Sequence, residues 1–597
     1  MSTLYVDSQI GTSGGTGTAA DPISTLTLAH TAATAGDTLR VRGGNGRLYR
    51  EEVTFTKALT VVGYGDEEPE IVGSVARTGW TLDTGNLWYV AQATDPLSIY
   101  FVDADGVLTK GSRKTSAAAC VAAFDFAWID ASDRLYVYAT ADPVTLYARV
   151  EMCSLDYGIH ANGANGCVIR DVRLIGQKGV GLQATGVSSL TASDLYIGFQ
   201  AADGAGGSNA LAFALSDSVV EWCGAARPAT SAAFTGEGDG FSLHGTSSGT
   251  LERVVFRDCL KAAINSIDTT TTVANRVRVE RCNANVLGFH TTGTLTLRNS
   301  LIVMASNDLG GIGTLGTTVI ENVGVYGAGT AAGDSDHNVG LTTFGTTTFR
   351  NLWITNCRVG WSHVLGTTTQ GRAIIGGNGT NVSGTTLGGA VLTTAPTFLN
   401  AEDEDFRLVE DSSAVGEGVD LSASFVDDIA GRRRGTFWDI GPYAYEVEPR
   451  EAVLSALCDA LGTIGDPDEG DWQTDRAVVV HRDGLSRDAG RIVPFVEILR
   501  VSESYTLAGY SGTEAKYTRT MTVEFAYVSD GWRAGRSLGA VVADVEAALA
   551  VDYTLGGTCR DCFLASNESA ADGQDAAAKF TVTIHYHTSD KAPTKRV

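Results

Sequence analysis

Short runs in which apolar and polar residues alternate recur through the middle of this chain, and they recur in register. They read Ile169-Arg170-Asp171-Val172, Ala192-Ser193-Asp194-Leu195, Leu215-Ser216-Asp217-Ser218 and Leu251-Glu252-Arg253-Val254. Ala274-Asn275-Arg276-Val277, Leu297-Arg298-Asn299-Ser300, Ile320-Glu321-Asn322-Val323 and Phe349-Arg350-Asn351-Leu352 continue the series. The third position falls at 171, 194, 217, 253, 276, 299, 322 and 351, in steps of 23, 23, 36, 23, 23, 23 and 29. A fixed period of this size belongs to a solenoid, propeller or array. Each unit holds two or three short strands between glycines, too little for a four-stranded blade or a helix pair. A parallel β-helix remains, each coil about 4.8 Å from the next, so that eight coils stack to roughly 40 Å. Val, Ile, Leu and Cys are expected to point inward, and glycine to supply the corners. Threonine runs such as Thr269 to Thr272 and Thr346 to Thr348 are expected to form ladders.

The chain on either side departs from this period. Ser24 to Ala33 carries an apolar face at helical spacing, and Gly36-Asp37-Thr38-Leu39-Arg40-Val41 then turns into a strand. This predicts a cap over one end of the solenoid, since an open end invites edge-to-edge aggregation. Residues 77–154, rich in Trp, Tyr and Phe, read as a small β-rich elaboration. At Glu446-Val447-Glu448-Pro449 the pattern changes type. Glu451 to Leu461 and Ser537 to Ala550 read as amphipathic helices. Met521, Val523, Phe525 and Tyr527, and likewise Phe580, Val582, Ile584 and Tyr586, alternate with polar residues as half-buried strands do. The expected divisions are 1–76 (cap and first coils), 77–154 (elaboration), 155–400 (regular coils), 401–448 (closing segment and linker) and 449–597 (an α+β domain).

Several segments carry family resemblances. Tyr5-Val6-Asp7-Ser8, the helix Thr25-Leu26 to Ala29, Ala35-Gly36-Asp37-Thr38 and Tyr49-Arg50-Glu51 resemble the opening of right-handed parallel β-helix proteins. That group includes pectate-lyase-like polysaccharide lyases and phage tailspike-like proteins. Asp405-Phe406-Arg407-Leu408, Gly418-Val419-Asp420, Ile429-Ala430-Gly431-Arg432 and Asp439-Ile440-Gly441-Pro442-Tyr443 resemble their closing segment. The resemblance spans roughly residues 1–447 and implies a fold rather than an activity. After 449 the order is a helix, strands at 494–498 and 518–523, a helix ending at Leu549, Leu555-Gly556-Gly557 and a last strand from Phe580 to His587. That order resembles the tail-terminator, or tail-completion, proteins of tailed phages. It implies a hexameric ring where the tail tube meets the neck.

Composition narrows the picture. Glycine numbers 71 of 597 residues, about 12%, against a usual share near 7%. With 44 basic and 69 acidic residues the net charge is -25, which argues against wrapping nucleic acid or anionic membrane. Contact with DNA is then confined to its passage through a lumen. Only Cys559 and Cys562 form a C-x-x-C; the other cysteines are scattered and read as buried thiols of a reducing compartment. There is no run of eighteen apolar residues, and Met1 to Asp7 lacks the basic and apolar regions of a secretory signal. The expectation is synthesis in a host cytoplasm without a signal peptide and residence in a virion, at its neck or tail.

The steps of 36 and 29 mark insertions, which decorate the working face of a solenoid. They carry Gly236-Glu237-Gly238-Asp239-Gly240-Phe241-Ser242-Leu243-His244-Gly245 and Gly333-Asp334-Ser335-Asp336-His337-Asn338. Counting back fourteen from the markers at 253 and beyond selects Asp239, Ala262, Asn285, Asp308 and His337; counting back nine selects His244 and His290. With constant loop lengths these form an outward polar stripe able to line a sugar groove. Glycosidases place two carboxylates about the scissile bond. Glu237 and Asp239 project to one face roughly 6–7 Å apart. The catalytic candidates are therefore Glu237, Asp239 and His244; the glycan-binding candidates are Asp239, Asn285, His290, Asp308 and His337. Asp and Gly are also the common corner residues of such coils, so the same positions read equally well as turns. No metal site is predicted and no motif calls for a cofactor, while calcium among the acidic turns is compatible with the sequence. The functional expectation is a bacteriophage structural protein that forms a ring with copies of itself and meets other neck and tail-tube proteins. Its β-helix projects as a decoration that touches cell-surface glycans. The alternative is a tailspike-like polysaccharide depolymerase, a glycoside hydrolase or lyase, whose C-terminal domain serves for attachment.

Overall fold

The computed structural model describes residues 2–65, 67–224, 238–283, 285–290, 293–305, 310–330, 338–434 and 438–445, together with five strands beyond them. Contacts divide the chain into two compact units, Met1–Tyr445 and Glu446–Val597.

In the first unit the repeat becomes two long parallel sheets. One includes Cys167–Ile175, Leu190–Gly198, Thr294–Val303, Thr317–Tyr326 and Thr346–Thr355; the other runs through eleven strands from Val53–Phe55 to Thr380–Ser383. Cα partners step from Ile169 through Ala192, Leu215, Leu251, Ala274, Leu297 and Ile320 to Phe349. All eight are fully buried, so one apolar column threads the coils and the chain is a parallel β-helix. Burying each large apolar side chain in such a column contributes about 1.5–3 kcal/mol.

The polar markers of the repeat are its corners. All eight, Asp171, Asp194, Asp217, Arg253, Arg276, Asn299, Asn322 and Asn351, have φ between 43° and 56°. Asn and Asp tolerate this left-handed conformation better than other residues with a Cβ. Where the markers are Asn they stack. Side-chain amides of Asn299 and Asn322 meet at 3.3 Å, and those of Asn322 and Asn351 at 2.9 Å. A second left-handed corner follows five residues later, at Gly176, Phe199, Trp222, Asp258, Arg281 and Asn356. A third closes the second sheet at Gly163, Gly186, Asn209, Gly245 and Asp268.

Corners account for only part of the glycine excess, which corrects the expectation drawn from composition. Gly181, Gly204, Gly240, Gly311, Gly340 and Gly360 stand at the starts of six strands of the second sheet. A Cβ on each would lie 2.3–2.8 Å from Ile197, Val220, Phe256, Val325, Ile354 and Ile375 respectively. These glycines make room inside the coil for a column of larger side chains. The cysteines share that interior. The seven described thiols are buried and unbridged, and the Cys259 amide donates to Cys282 Sγ at 3.4 Å across a coil boundary.

The predicted cap is the helix Leu26–Ala32, whose Leu26 and Ala29 are buried. Thr25 Oγ1 accepts from the Leu28 amide at 3.2 Å, and the Glu51 carboxylate accepts from the amides of Leu26 and Thr27 at 2.8 and 3.0 Å. These bonds satisfy donors that a helix start leaves open. The elaboration forms two small sheets about Trp80, Phe101, Phe126 and Leu135. It meets the coils where the Tyr100 and Phe199 rings lie 5.4 Å apart. The closing segment brings Phe398 and Phe406 against Trp353, with ring centroids 4.9 and 6.1 Å away.

The five described strands of the second unit form one sheet. Phe495–Ser511 pairs antiparallel with Glu514–Asp530, which pairs with Asp575–Lys591, which pairs with Asp561–Asp572; Val479–His481 runs parallel to the first. The predicted strands at 494–498, 518–523 and 580–587 fall on this sheet. The predicted helices Glu451 to Leu461 and Ser537 to Ala550 lie outside the described residues, as do Leu555-Gly556-Gly557 and Cys559.

Candidate functional site

The first insertion leaves the coils at Gly224 and returns at Gly238. These two ends touch: a Cβ on Gly238 would sit 2.8 Å from the Gly224 Cα. The returning backbone is held by Asp203, whose Oδ1 accepts from the amides of Gly238 and Asp239 at 2.7 and 2.8 Å. Ala205 pairs with Phe241, so Asp203 and Asp239 stand in one column on adjacent coils. That places them about 4.8 Å apart along the axis.

The two carboxylates are treated differently by their surroundings. Asp239 accepts from Lys261 Nζ at 2.8 Å, from the Ala262 amide at 3.1 Å and from Asn265 Nδ2 at 2.8 Å. Among the described residues Asp203 accepts from the two backbone amides alone. Burial, then the negative charge of Asp239, raise its pKa to about 6. A carboxyl group so placed keeps its proton up to about pH 6. Asn265 completes the group. Its side chain is 5% exposed and its Nδ2 is committed to Asp239, while its buried Oδ1 accepts no hydrogen bond from the described residues. A buried polar oxygen left without a donor has a cost of about 1–3 kcal/mol. A protonatable carboxyl, an ammonium and a buried amide oxygen are thus gathered about Asp239.

The residues chosen from sequence are distributed unevenly around this group. Asp239 belongs to it, but as a buried carboxylate with all its bonds made rather than an outward group. Asn285 is likewise buried, its Nδ2 donating to the Gly310 carbonyl at 2.8 Å. The expected outward stripe is thus corrected at both positions, because the column turns its polar atoms into the corner to satisfy backbone groups. His244 ends the strand Phe241–His244, is exposed, and lies 3.1 Å through Nε2 from Ser242 Oγ. His290 ends the strand Val286–His290, opposite Asp268. Glu237, Asp308 and His337 lie outside the described residues. Sequence counting missed Asp203 and Lys261. Asp203 was within its reach: fourteen residues before the marker at 217 is 203, one coil earlier than the count was begun. Lys261 has no such signal, since its role comes from a corner that bends its ammonium toward Asp239.

Elsewhere, a cleft of about 590 Å³ lies along the seam between the last coil and the closing segment, lined by Arg372, Leu392, Thr393, Ser412 and Glu417 among others. Its charges are spent on an Arg372–Glu417 ion pair. Among the described residues, no group of three His, Cys, Asp or Glu side chains is arranged to hold a metal ion.

No family model matches the chain, and no curated protein matches it in sequence. Several solved structures are similar in fold. A pectate lyase is 13% identical over 75% of this chain and 97% of its own, with a TM-score of 0.42. An alginate lyase from Paenibacillus sp. is 9% identical over 62% of this chain and 99% of its own, with a TM-score of 0.31. The tailspike of Pseudomonas phage phi297 is 8% identical over 95% of this chain and 92% of its own, with a TM-score of 0.25.

Proposed function

We propose that the chain is a tailspike-like virion component whose β-helix recognises a surface glycan at Asp203, Lys261 and Asn265. The observation that carries this reading is the cluster of Asp203, Lys261 and Asn265 about Asp239, in which the Asp203 carboxyl group is held near its titration point. Sugar hydroxyls both donate and accept, so they suit an amide oxygen, a protonatable carboxyl and an ammonium at once. In this reading the C-terminal unit joins copies of the chain, and several weak sites act together to raise avidity. Affinity electrophoresis of the intact protein through gels containing bacterial capsular or O-antigen polysaccharide tests it. Retardation by at least one polysaccharide is expected, weakened about tenfold or more in Asp203→Asn and Asn265→Ala. Free migration in every gel would overturn it.

A second reading, hydrolysis of the bound glycan, is favoured by the raised pKa of Asp203 alone. The Asp203 proton would pass to the glycosidic oxygen, the bond to the anomeric carbon would break, and water would add its hydroxyl there. The remaining water proton would return to Asp203. Release of reducing ends, falling as pH rises through about 6 and abolished in Asp203→Asn, is the expected signature. A ring of six chains at the tail neck is a separate proposal. It rests on the order of elements in the sequence after residue 449 and is tested by mass photometry of the purified protein, a mass other than six chains overturning it.

A further inference from the structure

The threonine ladders expected from the sequence stand on the outer face of the first sheet. Six consecutive coils carry the triplets Ser248-Gly249-Thr250, Thr271-Thr272-Val273, Thr294-Leu295-Thr296, Thr317-Thr318-Val319, Thr346-Thr347-Thr348 and Thr367-Thr368-Thr369. Cα partners join each triplet to the next without a shift of register. Strand alternation turns the middle residue of a triplet inward and the other two outward. Two outward columns result, one from Ser248 through Thr271, Thr294, Thr317 and Thr346 to Thr367, the other from Thr250 through Val273, Thr296, Val319 and Thr348 to Thr369. None of these twelve residues is buried. Nine are threonine, and none is aromatic or charged, although 19% of the chain is charged.

Charge stands beside this face instead. The next outward column is Glu252, Asn275, Arg298, Glu321 and Arg350, whose members bond one another: Asn275 Nδ2 donates to Glu252 at 2.8 Å and Arg298 Nε to Glu321 at 2.8 Å. The inner threonines tie the sheet to the opposite wall of the coil. Thr272 Oγ1 lies 2.9 Å from Ser266 Oγ, and Thr347 Oγ1 lies 2.8 Å from Thr314 Oγ1.

The outer threonines therefore form a lattice. Successive residues in a column are about 4.8 Å apart, the two columns are roughly 6.7 Å apart, and six coils extend about 24 Å. Threonine is stiff about χ1, and within a column each has similar neighbours above and below, so hydroxyl and methyl groups repeat with the backbone. A single glycan chain finds no cleft, aromatic ring or charge on such a face. A crystalline solid whose hydrogen-bonding groups repeat over similar distances meets many of its groups at once. The oxygen atoms on the prism face of hexagonal ice repeat in this way.

We infer that this face binds ice. Threonine hydroxyls join the outermost water layer of the crystal, and the methyl groups fill the gaps between its oxygen atoms. Ordering a bridging water taken from the liquid has an entropic cost, which the crystal has already met. Contacts that are weak singly then add along the lattice. The inference is independent of the glycan reading, because the group about Asp239 adjoins the second sheet.

The test grows ice slowly from dilute solutions of the full-length protein and compares the ice fraction with the liquid, serum albumin marking passive inclusion. Thermal unfolding checks that each variant is folded. Wild type is expected in the ice at five times the albumin level or more, as is Val144→Lys, which changes an exposed residue of the elaboration. Thr317→Lys and Thr346→Lys, in the middle of the lattice, are expected to fall to the albumin level. Asp203→Asn is expected to enter ice like wild type, whatever it does to glycan binding. Wild type no more abundant in ice than albumin would overturn the inference, and so would Thr317→Lys and Thr346→Lys entering ice like wild type. Sedimentation with microcrystalline cellulose but exclusion from ice would overturn it too, and would assign the lattice to a solid polysaccharide.

Discussion

At residue scale the behaviour of Asp203 follows from one asymmetry. Asp239 has taken the lysine, the asparagine and a backbone amide, so Asp203 sits beside a negative charge with two amides for compensation. Its folded pKa, about 6, lies above the ordinary 3.8, so its uncharged form is the one the fold prefers. The stability it contributes is complete below about pH 4 and is lost as pH rises through about 6. Asp203→Asn imitates the uncharged form. Its melting temperature is expected to match wild type at pH 4 and exceed it at pH 8. An equal or lower value at pH 8 would count against this electrostatic account. Asn351 illustrates the other kind of residue. It combines φ of 50° with bonds from its Nδ2 to Asn322 and to the Val419 carbonyl at 2.8 Å, while its Oδ1 accepts from the Val419 amide at 2.8 Å. Asn351→Ala is expected to cost about 2–4 kcal/mol in denaturant unfolding, from the left-handed backbone and the lost bonds together. The sequence exposed both residues to a register count, but neither partner set was visible in it, because those partners come from other coils.

At the scale of elements the coil is decided by columns. One apolar column fills the first sheet, and a second pairs glycine on one wall with Ile, Val or Phe on the other. Gly340→Ala places a methyl group 2.3 Å from Ile354 Cγ2 and 2.7 Å from the Gly360 carbonyl oxygen, with backbone on one side that cannot yield. A loss of about 1–3 kcal/mol is expected, measured by chemical denaturation. Ala at Gly389, which meets nothing within 4 Å, is the control and is expected to change stability little. The period of 23 was legible because each coil repeats the same corner. What the marker residues do was not legible: alternation made them look like strand positions, whereas each is a turn of one residue inside a continuous strand pair.

At the scale of the molecule, the β-helix holds its own core within Met1–Tyr445, capped by the helix Leu26–Ala32 and flanked late in the coils by the closing segment. A chain ending at Tyr445 is therefore expected to keep a cooperative thermal transition within a few degrees of the corresponding transition in the full protein. Loss of that transition would mean that the first unit depends on the second. The sequence by itself determined the parallel β-helix, its period, its cap and the change of pattern near residue 448. These are local features repeated along the chain, and repetition makes a weak local signal readable. Only the tertiary structure decided which polar residues are spent and which are open. Asp239 looked like a working carboxylate and proved saturated; Asn265, which the register count did not select, proved to hold an amide oxygen with no donor among the described residues. The physical reason is that a hydrogen-bond deficit is a property of the whole surrounding shell. In a coil that shell is assembled from residues 22 to 36 positions apart, whose side-chain directions the period does not specify.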